Sequence, residues 1–217
     1  MRFPRLVPLV SLALVLALGW AGQARSVAEP DADPDLERGA ALYAMCEQCH
    51  GEAGEGSALL LAPSIAGLEP WYIEVELRKF RSGARGGHPA DVAGLRMRPM
   101  SRWLTGDPDI AAVAAYIGSM QSDFEPTLDG DAAKGAATYV LCSSCHGADG
   151  SGNQTMSAPS LTRTIDWYQL TQLENFKKGV RGGAKDPEGA LMRGFATMLA
   201  DDQAMKDVIA HVMTLRK

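Results

Sequence analysis

Cys46-Glu47-Gln48-Cys49-His50-Gly51 and Cys142-Ser143-Ser144-Cys145-His146-Gly147 are two occurrences of one pattern, Cys-x-x-Cys-His-Gly, set 96 residues apart. Together they use all four cysteines of the 217-residue chain. At the same offset Gly39, Tyr43, Gly54, Gly56, Pro63, Ser64, Trp71, Tyr72, Leu77, Phe80, Gly83, Arg85, Gly86 and Gly87 stand against Gly135, Tyr139, Gly150, Gly152, Pro159, Ser160, Trp167, Tyr168, Leu173, Phe176, Gly179, Arg181, Gly182 and Gly183. The second copy is one residue shorter after Gly183, and beyond that point Met97 aligns with Met192 and Leu104 with Leu199. So many identities in one order mark a tandem repeat.

Two thiols at i and i+3 lie on one face of a helical turn, and the next residue is an imidazole. This is the attachment signature for c-type haem: the thiols bond the two vinyl groups of one porphyrin and the histidine reaches its iron as proximal ligand. Other readings fit less well. Two Cys-x-x-Cys pairs could share a zinc ion, but each pair sits in its own repeat with its own histidine. A thioredoxin-like pair needs a strand–helix context that the pattern lacks. A disulfide within each pair leaves the paired histidines unexplained.

Hydrophobic residues make up 46% of the chain, charged residues 22% and aromatics only 6%. A half-chain with so few aromatics has a thin core of its own, which a large, flat, apolar cofactor would fill. Arg2, Arg5, the apolar run Leu6 to Ala21 and the small residues up to Ala24 read as a signal peptide over residues 1–24, exporting the rest to the periplasm. The run is short for a membrane span; an uncleaved N-terminus is the one expected route to a membrane. Cleavage after Ala24 removes two of the 21 basic residues and none of the 26 acidic ones, leaving a net charge of −7. That argues against nucleic acid as a partner and fits docking on a basic protein surface. Residues 25–34 read as a flexible lead-in, 35–120 as the first domain, 121–130 as a polar linker carrying Pro126, and 131–217 as the second domain.

The expected fold is all-α. Asp35 and Asp131 are candidate N-caps of a first helix running up to each cysteine motif. A middle helix is expected over Trp71–Arg81 and Trp167–Lys178. The last is expected over Asp107–Ser119 and Asp201–Leu215, with Ile110, Val113, Ala114 and Ile117 at helical spacing. No stretch alternates with period two for long enough to suggest a sheet.

On these residues the chain resembles the class I cytochromes c and, in its tandem form, the dihaem cytochrome c4 family. The resemblance implies two cytochrome c-like domains, each a small helical bundle around a covalently bound haem c. It implies a methionine sulfur as the iron's sixth ligand. Met97 and Met192 are the candidates because they align, whereas Met100 meets Phe195 and Met198 meets Trp103. Met45, Met120, Met156, Met205 and Met213 are read as packing residues. Also by resemblance, the carbonyls of Pro63 and Pro159 would accept from the proximal imidazoles. Arg85 and Arg181, in repeated Gly-x-Arg-Gly-Gly loops, would pair with haem propionates or else stand on a solvated surface. Trp71 and Trp167, with Tyr72 and Tyr168, would line the haem pockets or donate to a propionate, or else pack in the core. Gly39 and Gly135 would let the first and last helices cross closely beside Tyr43, Tyr139 and Tyr116; His211 stands where Tyr116 is, and Ala184 where His88 is. The implied function is periplasmic electron transfer without catalysis, from a quinol-oxidising complex to a terminal oxidase or reductase. The alternatives are a dihaem enzyme (a peroxidase or a thiosulfate-oxidising protein), which needs one iron with a labile distal ligand, and a membrane-held oxidase subunit.

Overall fold

The computed structural model describes residues 33–121 and 123–216, which fall in one compact unit. The expected leader over 1–24 and most of the lead-in lie outside the described residues. In the first copy α1 (Pro34–Tyr43) and α2 (Glu47–His50) lead to α3 (Pro70–Ser82), α4 (Val92–Trp103) and α5 (Asp107–Ser119). In the second, α6 (Ala132–His146) is followed by α7 (Asp166–Lys177), α8 (Pro187–Met198) and α9 (Asp202–Thr214). Among the described residues there is no strand, only isolated bridges joining Ser57 to Ala62 and Asn153 to Ala158.

Local chemistry sets the helix ends. Asp131 caps α6 as expected, accepting from Ala133 N at 3.0 Å and Lys134 N at 3.2 Å. The cap of α1 is Asp33, not Asp35: its Oδ1 accepts from Asp35 N at 3.0 Å, and Pro34 follows it at the first helical position. Proline is favoured there because its missing N–H would have had no partner. The motif helix runs unbroken into His146 in the second copy but is interrupted between Tyr43 and Glu47 in the first. Helices α4 and α8 were not foreseen. They place Met97 and Met192 inside the helix that precedes the last one in each half.

Each core is the crossing of a first and a last helix. α1 crosses α5, and α6 crosses α9. A Cβ on Gly39 would stand 2.6 Å from Tyr116 Cβ, and one on Gly135 would stand 2.5 Å from the Asp207 carbonyl carbon. Only glycine permits such backbone approach. Around the crossings Tyr43, Ile110, Val113 and Ile117 are buried in one half and Tyr139, Met205, Val208, Ile209 and Val212 in the other. A fully buried side chain of this size contributes about 1.5–3 kcal/mol. Tyr43 lies 5.6 Å from Tyr116 between ring centroids, and Tyr139 lies 5.2 Å from His211. The two tyrosine hydroxyls donate to the carbonyls of Gly51 and Gly147, at 2.6 and 2.7 Å, tying each core to its cysteine motif.

The segment between the copies is held down from Phe124 onward. The buried carboxylate of Asp166 accepts from the backbone N–H groups of Thr127 and of Leu128 (2.6 Å), and from Trp167 N at 2.7 Å. Arg216 donates to the Phe124 carbonyl at 2.7 Å, its guanidinium lying over the Phe124 ring. Arg163 donates to the Gly67 carbonyl at 2.5 Å and so joins second half to first.

Candidate functional site

The loop after each cysteine motif folds back on its histidine. Gly51, Gly54 and Gly56 have φ of +83°, +73° and +85°, and Gly147, Gly150 and Gly152 repeat the same geometry. These are left-handed conformations that favour glycine. They bring the Pro63 and Pro159 carbonyls back to His50 and His146. Both imidazoles are buried, and in each Nδ1 lies 2.8 Å from the proline oxygen. A carbonyl can only accept, so Nδ1 carries the proton and the lone pair of Nε2 is free to bind a metal. Burial lowers the pKa of both histidines, more than the carbonyl hydrogen bond raises it, so each imidazole is neutral at neutral pH. None of the four cysteines is tied up in a disulfide. Burial, reinforced by Cys49 and Glu47, pushes the Cys46 pKa up to about 11; burial and Cys145 raise that of Cys142.

In the second half a crevice opens over this motif. Cys142, Cys145 and His146 share it with Met192, Met156, Leu141, Leu161, Leu173, Phe195 and Leu199. Met192 thus faces the site; the other methionine near the end of α8, Met198, is not among the lining residues and is exposed. Met156, expected only to pack, lines the crevice, and Met45 is exposed rather than packed. The counterpart of Met156 in the first copy is Leu60, and that of Met45 in the second is Leu141, so only the Met97/Met192 column supplies a thioether in both halves. Trp167 is not among the lining residues: Tyr168 is, together with Tyr72 from the first half. Trp71 and Trp167 pack edge-on against these tyrosines, at 5.8 and 6.1 Å between ring centroids.

The two repeated arginines meet between the halves. Neither is on the solvated surface. Arg85 donates to Glu76, to Tyr168 Oη at 3.1 Å and to Gln172 Oε1 at 3.1 Å. Arg181 donates to Gln172 Oε1 at 2.8 Å and to Glu76 Oε2 at 3.1 Å. Each guanidinium also lies over a phenylalanine of its own half, Phe80 or Phe176. Burial acts to raise the Glu76 pKa, but Arg85, Arg181 and Lys79 outweigh it and hold the carboxyl below its ordinary value. Glu76 and Gln172 occupy equivalent positions, so one carboxylate serves two arginines.

These features suit a haem in each half. Each supplies two thiols and a neutral imidazole with a free lone pair, and the second adds the apolar walls of its crevice. The buried Nε of Arg85 and that of Arg181 have no hydrogen-bond partner in the protein, and a propionate carboxylate would satisfy them. Residues that would hold the groups are Cys46, Cys49 and His50 in the first half, and Cys142, Cys145 and His146 in the second.

Comparison with known proteins agrees. The family model described as Cytochrome c matches twice, over residues 36–121 and 132–216. Cytochrome c4 of Stutzerimonas stutzeri is 29% identical over 206 residues, spanning 88% of this chain and 92% of that protein. A thiosulfate dehydrogenase electron acceptor of the same species, strain A1501, is 31% identical over 77% of this chain and 78% of its own length. The crystal structure of reduced cytochrome c4 from Pseudomonas stutzeri superposes with a TM-score of 0.66 at 26% identity, covering 82% of this chain and 96% of that one. Among the described residues no helix is long and apolar enough to cross a membrane. The chain therefore belongs to the cytochrome c family, as a dihaem, cytochrome c4-like electron-transfer protein with covalently bound haem c in each of two tandem helical domains.

Proposed function

We propose that the chain is a periplasmic electron shuttle with no catalysis of its own. It accepts electrons from a quinol-oxidising complex, passes them between its halves and delivers them to a terminal oxidase or reductase. Bound one in each half, the haems would supply a pair of one-electron couples. His50 and His146 hold the proximal side, their rings oriented by the proline carbonyls. Met97 and Met192 complete the distal side. A thioether favours the reduced state and fills the position that oxygen, peroxide or thiosulfate would need. Arg85 and Arg181 hold propionates between the halves, and the apolar walls keep water out, so little has to reorganise when charge arrives.

The observation that carries this reading is the repetition of one arrangement. Both halves have the same 2.8 Å imidazole–carbonyl bond and the same methionine column. An enzyme of the dihaem type needs the halves to differ at iron. The predicted leader over residues 1–24 supports a periplasmic location. The relative named as an electron acceptor supports a carrier role, and its name assigns that partner to itself alone.

Spectroelectrochemistry of the matured protein tests the proposal. The charge-transfer band of sulfur-bound ferric haem should account for two haems, with Met97→Ala and Met192→Ala each abolishing half of it. A persistent high-spin haem in the unaltered protein, or consumption of peroxide or thiosulfate by the protein alone, would overturn it.

A further inference from the structure

The halves differ where α3 meets α8, and the difference concerns how the second distal helix is held. Lys79 projects from α3 of the first half. Its Nζ lies 2.6 Å from Asp186 Oδ1, 3.2 Å from Glu188 Oε2 and 3.8 Å from Glu76 Oε1. Asp186 is the N-cap of α8: its Oδ1 accepts from Gly189 N at 3.2 Å, its side chain is fully buried, and its Oδ2 has no hydrogen-bond partner. An ionised carboxylate so placed is costly unless a cation compensates it. Among the described residues the cation within ion-pair distance of it is Lys79, from the other half.

The first half closes the same cap by itself. Asp91 accepts from Gly94 N at 2.9 Å through Oδ1 and from Gly86 N at 3.2 Å through Oδ2. Asn175 stands where Lys79 would be, and Ala93 where Glu188 would be. α4 is therefore anchored within its own half, whereas the anchor of α8 is completed across the joint.

We propose that Lys79 is a positioning residue for the second haem site: it latches the start of α8 to the first half and thereby keeps Met192 seated in its crevice. Met192 lies six residues beyond Asp186, under two helical turns, and it lines the crevice while Lys79 reaches the rim from the other half. Tilting or fraying the start of α8 moves the methionine with it. The stability of distal ligation in the second half is thus coupled to the joint between halves, and that in the first half is not. This rests on the reading of Met192 as a ligand, given above.

Imidazole is a suitable probe, since it competes with a thioether for ferric haem. The holoprotein is titrated with imidazole while the sulfur-linked band is followed. Proton NMR of the axial methionine methyls, assigned with Met97→Ala and Met192→Ala, tells the halves apart. In Lys79→Asn, which installs the residue the other half carries, Met192 should be displaced at about tenfold lower imidazole, with Met97 unmoved. Lys79→Arg should restore the original midpoint. Lys79→Gln, which keeps more of the stem, gives the same test if the Asn variant does not mature. Unchanged displacement at Met192, or an equal shift at both methionines, would overturn the latch. Loss of neither methyl signal in Met192→Ala would instead sink the ligand assignment beneath it.

Discussion

Gly135→Ala puts one methyl group into the α6–α9 crossing. Its Cβ would stand 2.5 Å from the Asp207 carbonyl carbon and 2.9 Å from Val208 N. Both are backbone atoms, so no rotamer change relieves the overlap. The Asp207 carbonyl oxygen stands closer still, so reaching ordinary contact at 3.4 Å requires the helices to part by at least about 0.9 Å. Overpacking of this kind costs about 1–3 kcal/mol, and a rigid partner puts it at the upper end. A gap of that width also forfeits roughly a quarter to a half of the dispersion energy between facing side chains; here these are Tyr139, Val208, Ile209 and Val212. The better helix propensity of alanine returns about 1 kcal/mol. The net is a loss of about 2–3 kcal/mol, or roughly 10–20 °C in the transition of a domain this size. Gly194→Ala in α8 is the matched control, because a Cβ there meets no atom within 4 Å. Only the propensity gain applies, and the transition should rise by a few degrees. Thermal unfolding of the holoprotein, followed by circular dichroism, reads both. Melting of Gly135→Ala with the unaltered protein would refute the close-crossing argument.

Glu76→Gln should remove a pH dependence. The folded-state pKa of Glu76 lies below its ordinary value, so its stabilisation is present above the usual carboxylate range and drains away as the pH falls through the lowered value. Melting temperatures of the variant and the unaltered protein should differ near neutrality and converge below about pH 4; a constant gap down to pH ~2 would contradict this. Asp166→Asn presents an NH₂ or a weaker acceptor to the three backbone N–H groups it now satisfies. It should cost about 2 kcal/mol and speed limited proteolysis between Phe124 and Leu128; unaltered cleavage would show that this carboxylate does not hold the segment.

The repeat made much of the molecule legible. Cys-x-x-Cys-His, the paired prolines and the mid-helical glycines are local or periodic signals, and each lies where a small helical haem domain needs it. What stayed hidden depends on contacts between copies. Comparing equivalent positions singles out identities, and the partner of Arg85 and Arg181 is a position where the copies disagree, Glu76 against Gln172. Lys79 escaped notice for the same reason, since Asn175 replaces it. α4 was obscured by the sequence Met-Arg-Pro-Met, whose Pro99 argues against a helix interior. Helix α8, free of internal proline, shows that the pattern nonetheless belongs to a helix. The choice of Asp35 over Asp33 follows the repeat, in which Asp35 aligns with Asp131, and overlooks Pro34 as the first-turn marker. Between neighbouring aromatics, no pattern in the chain says that Tyr168 and not Trp167 turns to the crevice.

The fastened connector has a kinetic meaning. With Thr127 and Leu128 bonded to Asp166, and Phe124 clasped by Arg216, the connector between the two redox centres is fastened over residues 124–128. Passage of charge from one to the other then waits on no diffusive search. Thickening the medium with glycerol should slow encounters with other proteins and leave the internal hop at its original speed.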